Sequence, residues 1–202
     1  MICRLFLALL AVLLPVPLLA AEAAKQEEIR LWPGTPPGAG QVAGPEVIGT
    51  EGAGLGAVSS VSVPRMRVYR PARPNGAAVL VAGGGGYFRI QLKKESTPAA
   101  GWLQARGFTV FELIYRLPND GWEATAPFMD AQRAMKIIRT RAGEFGVDPG
   151  RIGIMGFSAG GHLAGFTAYQ PARALYAGAD RFEAVSARPD FAVLLFPVVT
   201  LR

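Results

Sequence analysis

A short segment in the last third of the chain places a serine in a pattern typical of nucleophilic catalysis. Gly156-Phe157-Ser158-Ala159-Gly160 has the form G-x-S-x-G. A run of apolar residues that predicts a strand precedes it, and a segment with helical character follows it. A turn this sharp strains the serine backbone, so the positions two before and two after the serine, Gly156 and Gly160, must be very small. We expect Ser158 to be a nucleophile at the carboxyl edge of a sheet.

An ester or amide carbonyl attacked by a serine develops a negative oxygen, which needs hydrogen-bond donors. The N–H of Ala159, at the start of the predicted helix, is one candidate donor. Residues 83–86 are four consecutive glycines after an apolar run, and the N–H groups of the segment from Gly84 to Gly86 could supply the second, with Gly85 and Gly86 the preferred pair. The alternative interpretation of the glycine run is a plain flexible turn.

A serine nucleophile also needs a base, and the chain contains a single histidine, His162. His162 lies four residues after Ser158, inside the predicted helix, so we expect a packed or hydrogen-bonded histidine rather than the base. The acidic candidates Asp190, Asp180 and Glu183 fall before the last predicted strand, on the wrong side of the sheet for an active site at the carboxyl ends. We therefore expect neither the triad acid nor the triad histidine in this chain.

Composition excludes several other kinds of function. The 202 residues include one cysteine and one histidine, which excludes a disulfide framework and a cysteine-built metal site. The net charge of +6 comes from scattered arginines without a basic block, so a nucleic-acid partner is not expected. We expect no metal and no cofactor, and an ester of a small molecule or polysaccharide as the substrate.

The amino terminus has the layout of an export signal. One arginine, an apolar run interrupted by two prolines, and a cluster of small residues predict a signal peptide over residues 1–23 and a secreted or periplasmic protein. A retained anchor is the alternative; the apolar run is shorter than a spanning helix needs. The composition of residues 24–60 predicts a Gly/Pro-rich lead-in with one short strand at 29–32. Residues 61–202 form the main predicted domain, which we expect to be incomplete.

Strands and helices alternate through that domain, which predicts an α/β fold with a mostly parallel sheet and helices on both faces. The predicted strands are 61–69, 77–82, 108–115, 151–155 and 191–199. The predicted helices are 97–106, 126–145 and 159–169. The last strand is apolar at almost every position, the pattern of a strand covered on both faces.

Six segments give the chain a family resemblance: Leu31-Trp32-Pro33-Gly34, Gly84-Gly85-Gly86-Tyr87, Tyr115-Arg116-Leu117, Asp130-Ala131-Gln132-Arg133-Ala134, the segment 156–164, and Arg188-Pro189-Asp190-Phe191. It resembles the α/β-hydrolases of the esterase/lipase superfamily, in particular the secreted carbohydrate-esterase group that includes acetyl-xylan and feruloyl esterase-like proteins. The departure is Ala82-Gly83, where many relatives in the lipase branch have a histidine before the glycines.

The resemblance implies an α/β-hydrolase fold that lacks its last strand–helix units, and hydrolysis of acetyl or similar acyl esters through an acyl-enzyme on Ser158. Two further functions remain compatible with the residues: a serine peptidase of the same fold, and a non-catalytic binding protein or degraded gene product on the same scaffold. A truncated esterase is the leading hypothesis.

Overall fold

A computed structural model of the chain describes residues 26–40, 42, 44–178 and 180–199. The predicted signal peptide, residues 1–23, lies outside the described residues. Among the described residues, no helix combines the length and the apolar character that crossing a membrane requires.

The central element is a six-stranded, mostly parallel sheet, as the sequence predicts. Its strands are β1 (Glu28–Arg30), β4 (Arg65–Tyr69), β5 (Ala78–Ala82), β6 (Thr109–Ile114), β7 (Ile152–Phe157) and β8 (Phe191–Leu195). Four strands, β5 to β8, run parallel, and the antiparallel pairs β1–β4 and β4–β6 extend the sheet at one edge. The spatial order is β1-β4-β6-β5-β7-β8.

Three helices cover both faces of the sheet, and the alternation of side chains along β5 shows how. Leu80 packs into the larger cluster with residues of α2 (Ala126–Thr140) and α3 (Ala159–Tyr169). Val79 and Val81 point to the other face and pack with α1 (Thr97–Gln104), which follows a π-helical turn. Because both faces are buried, every residue of β5 is apolar.

The lead-in contains more regular structure than its composition predicts. Besides β1, which begins one residue and ends two residues earlier than expected, a small antiparallel ribbon joins β2 (Val47–Ile48) to β3 (Val58–Ser59). The N–H of Val58 also donates to the carbonyl of Ile90, 2.9 Å away, and this bond connects the lead-in to the segment after the glycine loop.

Two predicted elements end earlier than the apolar pattern suggests. The helix predicted over 126–145 is α-helical only to Thr140 and continues as a 3₁₀ turn, Ala142–Phe145, which keeps Phe145 in the core. The strand predicted over 191–199 stops at Leu195, because Phe196 has a positive φ of 38° and the following proline has no N–H to donate. Leu194 of β8 is 43% exposed among the described residues, so this strand is not covered on both faces there.

Arg116 and Asp130 form a fully buried ion pair between the end of β6 and α2. The guanidinium of Arg116, just after β6, donates to both carboxylate oxygens of Asp130 in α2 at 2.8–3.1 Å. The Arg116 backbone N–H and the Trp32 indole N–H donate to the same carboxylate, at 2.9 and 2.8 Å. One carboxylate thus connects the lead-in, the end of β6 and α2.

We predict that Asp130→Asn lowers the free energy of unfolding by about 3–5 kcal/mol, because it leaves the buried Arg116 charge without its counterion. Urea unfolding monitored by circular dichroism measures the change. The matched control is Glu27→Gln, which breaks an exposed pair with Arg70 and is expected to cost less than about 1 kcal/mol. Equal effects of the two substitutions would contradict this account of Asp130.

Candidate active site

Ser158 occupies a strained turn between β7 and α3. Its backbone angles are φ 50° and ψ −116°, a conformation that costs a non-glycine residue roughly 1–3 kcal/mol. Three backbone hydrogen bonds compensate: the Ser158 N–H donates to the carbonyl of Leu195 (2.9 Å), and the Ser158 carbonyl accepts from His162 (3.0 Å) and Val198 (3.2 Å). The turn is therefore held from α3 and from the end of β8.

The two glycines of the motif are required by close backbone approach. A Cβ at Gly156 would lie 2.0 Å from the carbonyl oxygen of Gly160, and a Cβ at Gly160 would lie 2.3 Å from the carbonyl oxygen of Ala82. Both distances are far below contact, and both obstacles are backbone atoms that cannot turn away. The glycines thus allow α3 to start directly against β7 and β5.

The glycine loop begins at the same edge of the sheet as Ser158. Ala82, the last residue of β5, pairs with Gly156 of β7, so the loops after these two neighbouring strands meet. A Cβ at Gly84 would lie 2.8 Å from the Cβ of Ser158. The loop backbone therefore contacts the serine side chain, as a group that stabilises an oxyanion there must.

The carboxylate of Glu95, on the π-helical turn, fixes one end of the loop. The Gly84 N–H donates to Glu95 Oε2 at 2.6 Å, and the Gly84 carbonyl accepts from the N–H of Gln91 at 2.9 Å. Gly84 is consequently not available as an oxyanion donor, which corrects the expectation that it contributes with Gly85 and Gly86. No sequence motif singles out Glu95, because an acidic residue eleven positions after a glycine has no characteristic spacing.

Three other N–H groups stay free for a substrate. In the part of the chain that the structure describes, no acceptor within hydrogen-bond distance takes the N–H of Gly85, Gly86 or Ala159. Gly85 and Gly86 have φ of 123° and 65°, left-handed values that glycine adopts without strain. Two of these donors come from the glycine loop and the third from the first turn of α3, directly after Ser158, which suits an oxyanion hole.

The only histidine is engaged with a tyrosine. Nδ1 of His162 lies 2.8 Å from the hydroxyl of Tyr87, and the ring packs edge-on against Tyr87 and Phe128. Burial raises the pKa of Tyr87 and lowers the pKa of His162. The Tyr87 hydroxyl has no other hydrogen-bond partner among the described residues, so we assign it as the donor to Nδ1, which places the proton of the neutral imidazole on Nε2.

The acidic residues after α3 have structural partners. Asp190 precedes β8 and accepts the N–H of Ile152 at 2.8 Å, at the end of the sheet opposite to Ser158. Asp180 and Glu183 accept from the guanidinium of Arg133 in α2, and the hydrogen bond from Arg133 lowers the pKa of Asp180. The structure does not bring any of these carboxylates together with Ser158.

Comparison with known proteins gives consistent matches. Residues 66–195 match the BD-FAE family model. The chain is 31% identical over 137 residues to an acetylxylan esterase of Xylanibacter ruminicola, a match that covers 68% of this chain and 26% of that protein. The chain thus spans about a quarter of the length of this relative.

Solved structures agree with the fold. The chain is similar to the acetyl ester-xyloside bifunctional hydrolase from Caldicellulosiruptor lactoaceticus, with a TM-score of 0.58, 36% identity, and coverage of 69% of this chain and 50% of that one. It is also similar to a thermophilic esterase from Thermogutta terrifontis with propionate bound, with a TM-score of 0.60, 28% identity, and coverage of 71% and 53%. About half of each solved relative is therefore matched.

We predict opposite effects for one substitution at two helical glycines. Gly160→Ala is expected to destabilise the fold by about 1–3 kcal/mol, because its methyl group must displace the backbone of β5. Gly101→Ala in α1, where a Cβ would meet nothing within 4 Å, is expected to stabilise by about 0.5–1 kcal/mol. Thermal unfolding of both variants measures the difference, and a harmless Gly160→Ala would show that the close approach is not required.

Proposed function

Since the chain belongs to the BD-FAE family of α/β-hydrolase esterases, we propose that it hydrolyses carboxylic esters with Ser158 as the nucleophile. The observation that carries this proposal is the strained strand–helix turn at Ser158 beside the glycine loop, where the described residues offer no acceptor to the N–H groups of Ala159, Gly85 and Gly86. Nucleophile elbows of this kind combine an exposed serine with oxyanion donors from the glycine loop and from the residue after the serine.

The chemistry follows from the placement of these groups. Ser158 Oγ attacks the ester carbonyl carbon and gives up its proton to a base, while the carbonyl oxygen becomes negative next to the donors of Ala159, Gly85 and Gly86. Collapse of this intermediate breaks the bond to the alcohol, which leaves with a proton, and the acyl group stays on Ser158. Water then hydrolyses the acyl-enzyme and releases the carboxylic acid.

The proton acceptor requires a group beyond those described. With the Tyr87 hydroxyl donating to Nδ1, the neutral imidazole of His162 has its proton on Nε2 and no lone pair left for Ser158. We propose that the base and its acid partner come from a part of the parent protein equivalent to the half of the solved relatives that this chain does not span.

The proposed substrate is an acetyl or similar small acyl ester on a polysaccharide or oligosaccharide. The support comes from the relatives, which include an acetylxylan esterase and an acetyl ester-xyloside hydrolase. These names describe the relatives, and the substrate of this chain is transferred from them as a hypothesis. Acetylated xylo-oligosaccharides are therefore the first substrates to assay, beside a simple aryl acetate.

We predict that Ser158→Ala in the full-length protein lowers kcat/KM for aryl acetate hydrolysis by about 10³-fold or more. An organophosphorus ester should phosphorylate wild-type protein once, and mass spectrometry of peptides should locate the adduct on Ser158. The control is Ser62→Ala, which changes an exposed serine before β4 and should retain both activity and labelling. Full activity of Ser158→Ala, or cleavage of peptide amides without ester hydrolysis, would contradict the proposal.

We also propose that the protein is exported with removal of residues 1–23. The support is the order of charge, apolar run and small residues at the amino terminus. Expression in the native host should give a mature protein whose amino-terminal sequence begins at Ala24, recovered from the periplasm or the medium. A cytoplasmic product that retains residues 1–23 would contradict the proposal.

A further inference from the structure

We propose that His162 is a positioning residue that holds the glycine loop in place through Tyr87. The hydrogen bond between His162 Nδ1 and the Tyr87 hydroxyl, at 2.8 Å, joins the two elements that carry the candidate oxyanion donors. Tyr87 directly follows Gly86, and His162 lies in the first turns of α3, whose first residue is Ala159. This inference rests on the proposed function and assigns a role to the histidine that the chemistry leaves unused.

The conformation of Tyr87 shows that this part of the loop is held under constraint. Tyr87 has a φ of 62°, a left-handed value that side chains other than glycine and asparagine rarely adopt. Such a residue keeps its conformation only where the surrounding contacts determine it. Its ring lies against Tyr115 and Phe128 as well as His162, and its hydroxyl has the histidine as hydrogen-bond partner.

The other end of the loop is held independently. Glu95 accepts the Gly84 N–H, so the loop is fixed by a carboxylate before Gly85 and by the tyrosine after Gly86. Between these two points, the N–H groups of Gly85 and Gly86 meet no acceptor within the described part of the chain. Loss of the tyrosine–histidine bond would release only the end of the loop that is tied to α3, where Ser158 and Ala159 lie.

A matched pair of substitutions separates the hydrogen bond from packing. In His162→Asn the side-chain oxygen takes a position close to that of Nδ1 and can accept from Tyr87, whereas His162→Leu has a similar shape without an acceptor. Tyr87→Phe removes the donor and keeps the ring. All three variants are made in the full-length protein, and circular dichroism checks that each is folded.

We expect His162→Leu and Tyr87→Phe to lower kcat for aryl acetate by about 10–100-fold with little change in KM, because the donors act mainly in the transition state. His162→Asn should retain most of kcat. The double variant Tyr87→Phe/His162→Leu should be no slower than either single variant, since both remove one interaction. An inactive His162→Asn, or a fully active Tyr87→Phe, would overturn the proposal.

A second measurement does not depend on activity. Nitrogen NMR of protein labelled at histidine should show Nδ1 of His162 unprotonated and hydrogen-bonded, with its signal, identified by its loss in His162→Asn, shifted in Tyr87→Phe. An Nδ1 resonance that does not respond to Tyr87→Phe would show that the contact is absent. If wild-type protein has no esterase activity but the resonance responds, the proposed function fails while the contact itself stands.

Discussion

The backbones of β5, β7 and α3 meet at distances that only glycine permits, and the candidate active site depends on this close approach. Gly160 lies against the end of β5, and Gly84 lies against Ser158. A side chain at either position would separate the glycine loop from the serine turn. The candidate oxyanion donors and the proposed nucleophile are thus placed together by main-chain packing, which has fewer degrees of freedom than a site built from long side chains.

Buried hydrogen bonds and an ion pair of α2 hold the surrounding elements together. Asp130 in α2 accepts from Trp32 and Arg116, so one carboxylate holds the lead-in and the end of β6 against the helix. Arg133, one turn later, donates to the carbonyl of Leu31 at 2.8 Å. These contacts give a physical reason for three of the motifs on which the family resemblance rests, those that contain Trp32, Arg116 and Asp130. The three motifs contact one another across the fold.

The sequence predicted the fold class and the strand–helix context of Ser158, because hydrophobic period and glycine placement are local signals. It did not predict that Gly84 gives its N–H to Glu95, or that Tyr87 pairs with His162, 75 residues away. Such contacts depend on which loops meet at the sheet edge, and no periodicity encodes them. The predicted helix and strand also ran beyond the observed ends of α2 and β8, because apolar residues continue past both ends. The backbone angles of Arg141 end α2, and those of Phe196 end β8.

The proposed esterase chemistry separates into two parts that depend on different regions. Stabilisation of the oxyanion needs only donors fixed in advance, and the described residues hold Gly85, Gly86 and Ala159 by contacts among themselves; one such donor contributes about 10²–10³-fold in kcat in serine hydrolases. Proton transfer needs a base with a free lone pair, which His162 lacks while Tyr87 donates to it. In the proposed mechanism, the histidine inside this region serves the electrostatic part, and we assign the proton transfer to residues outside it.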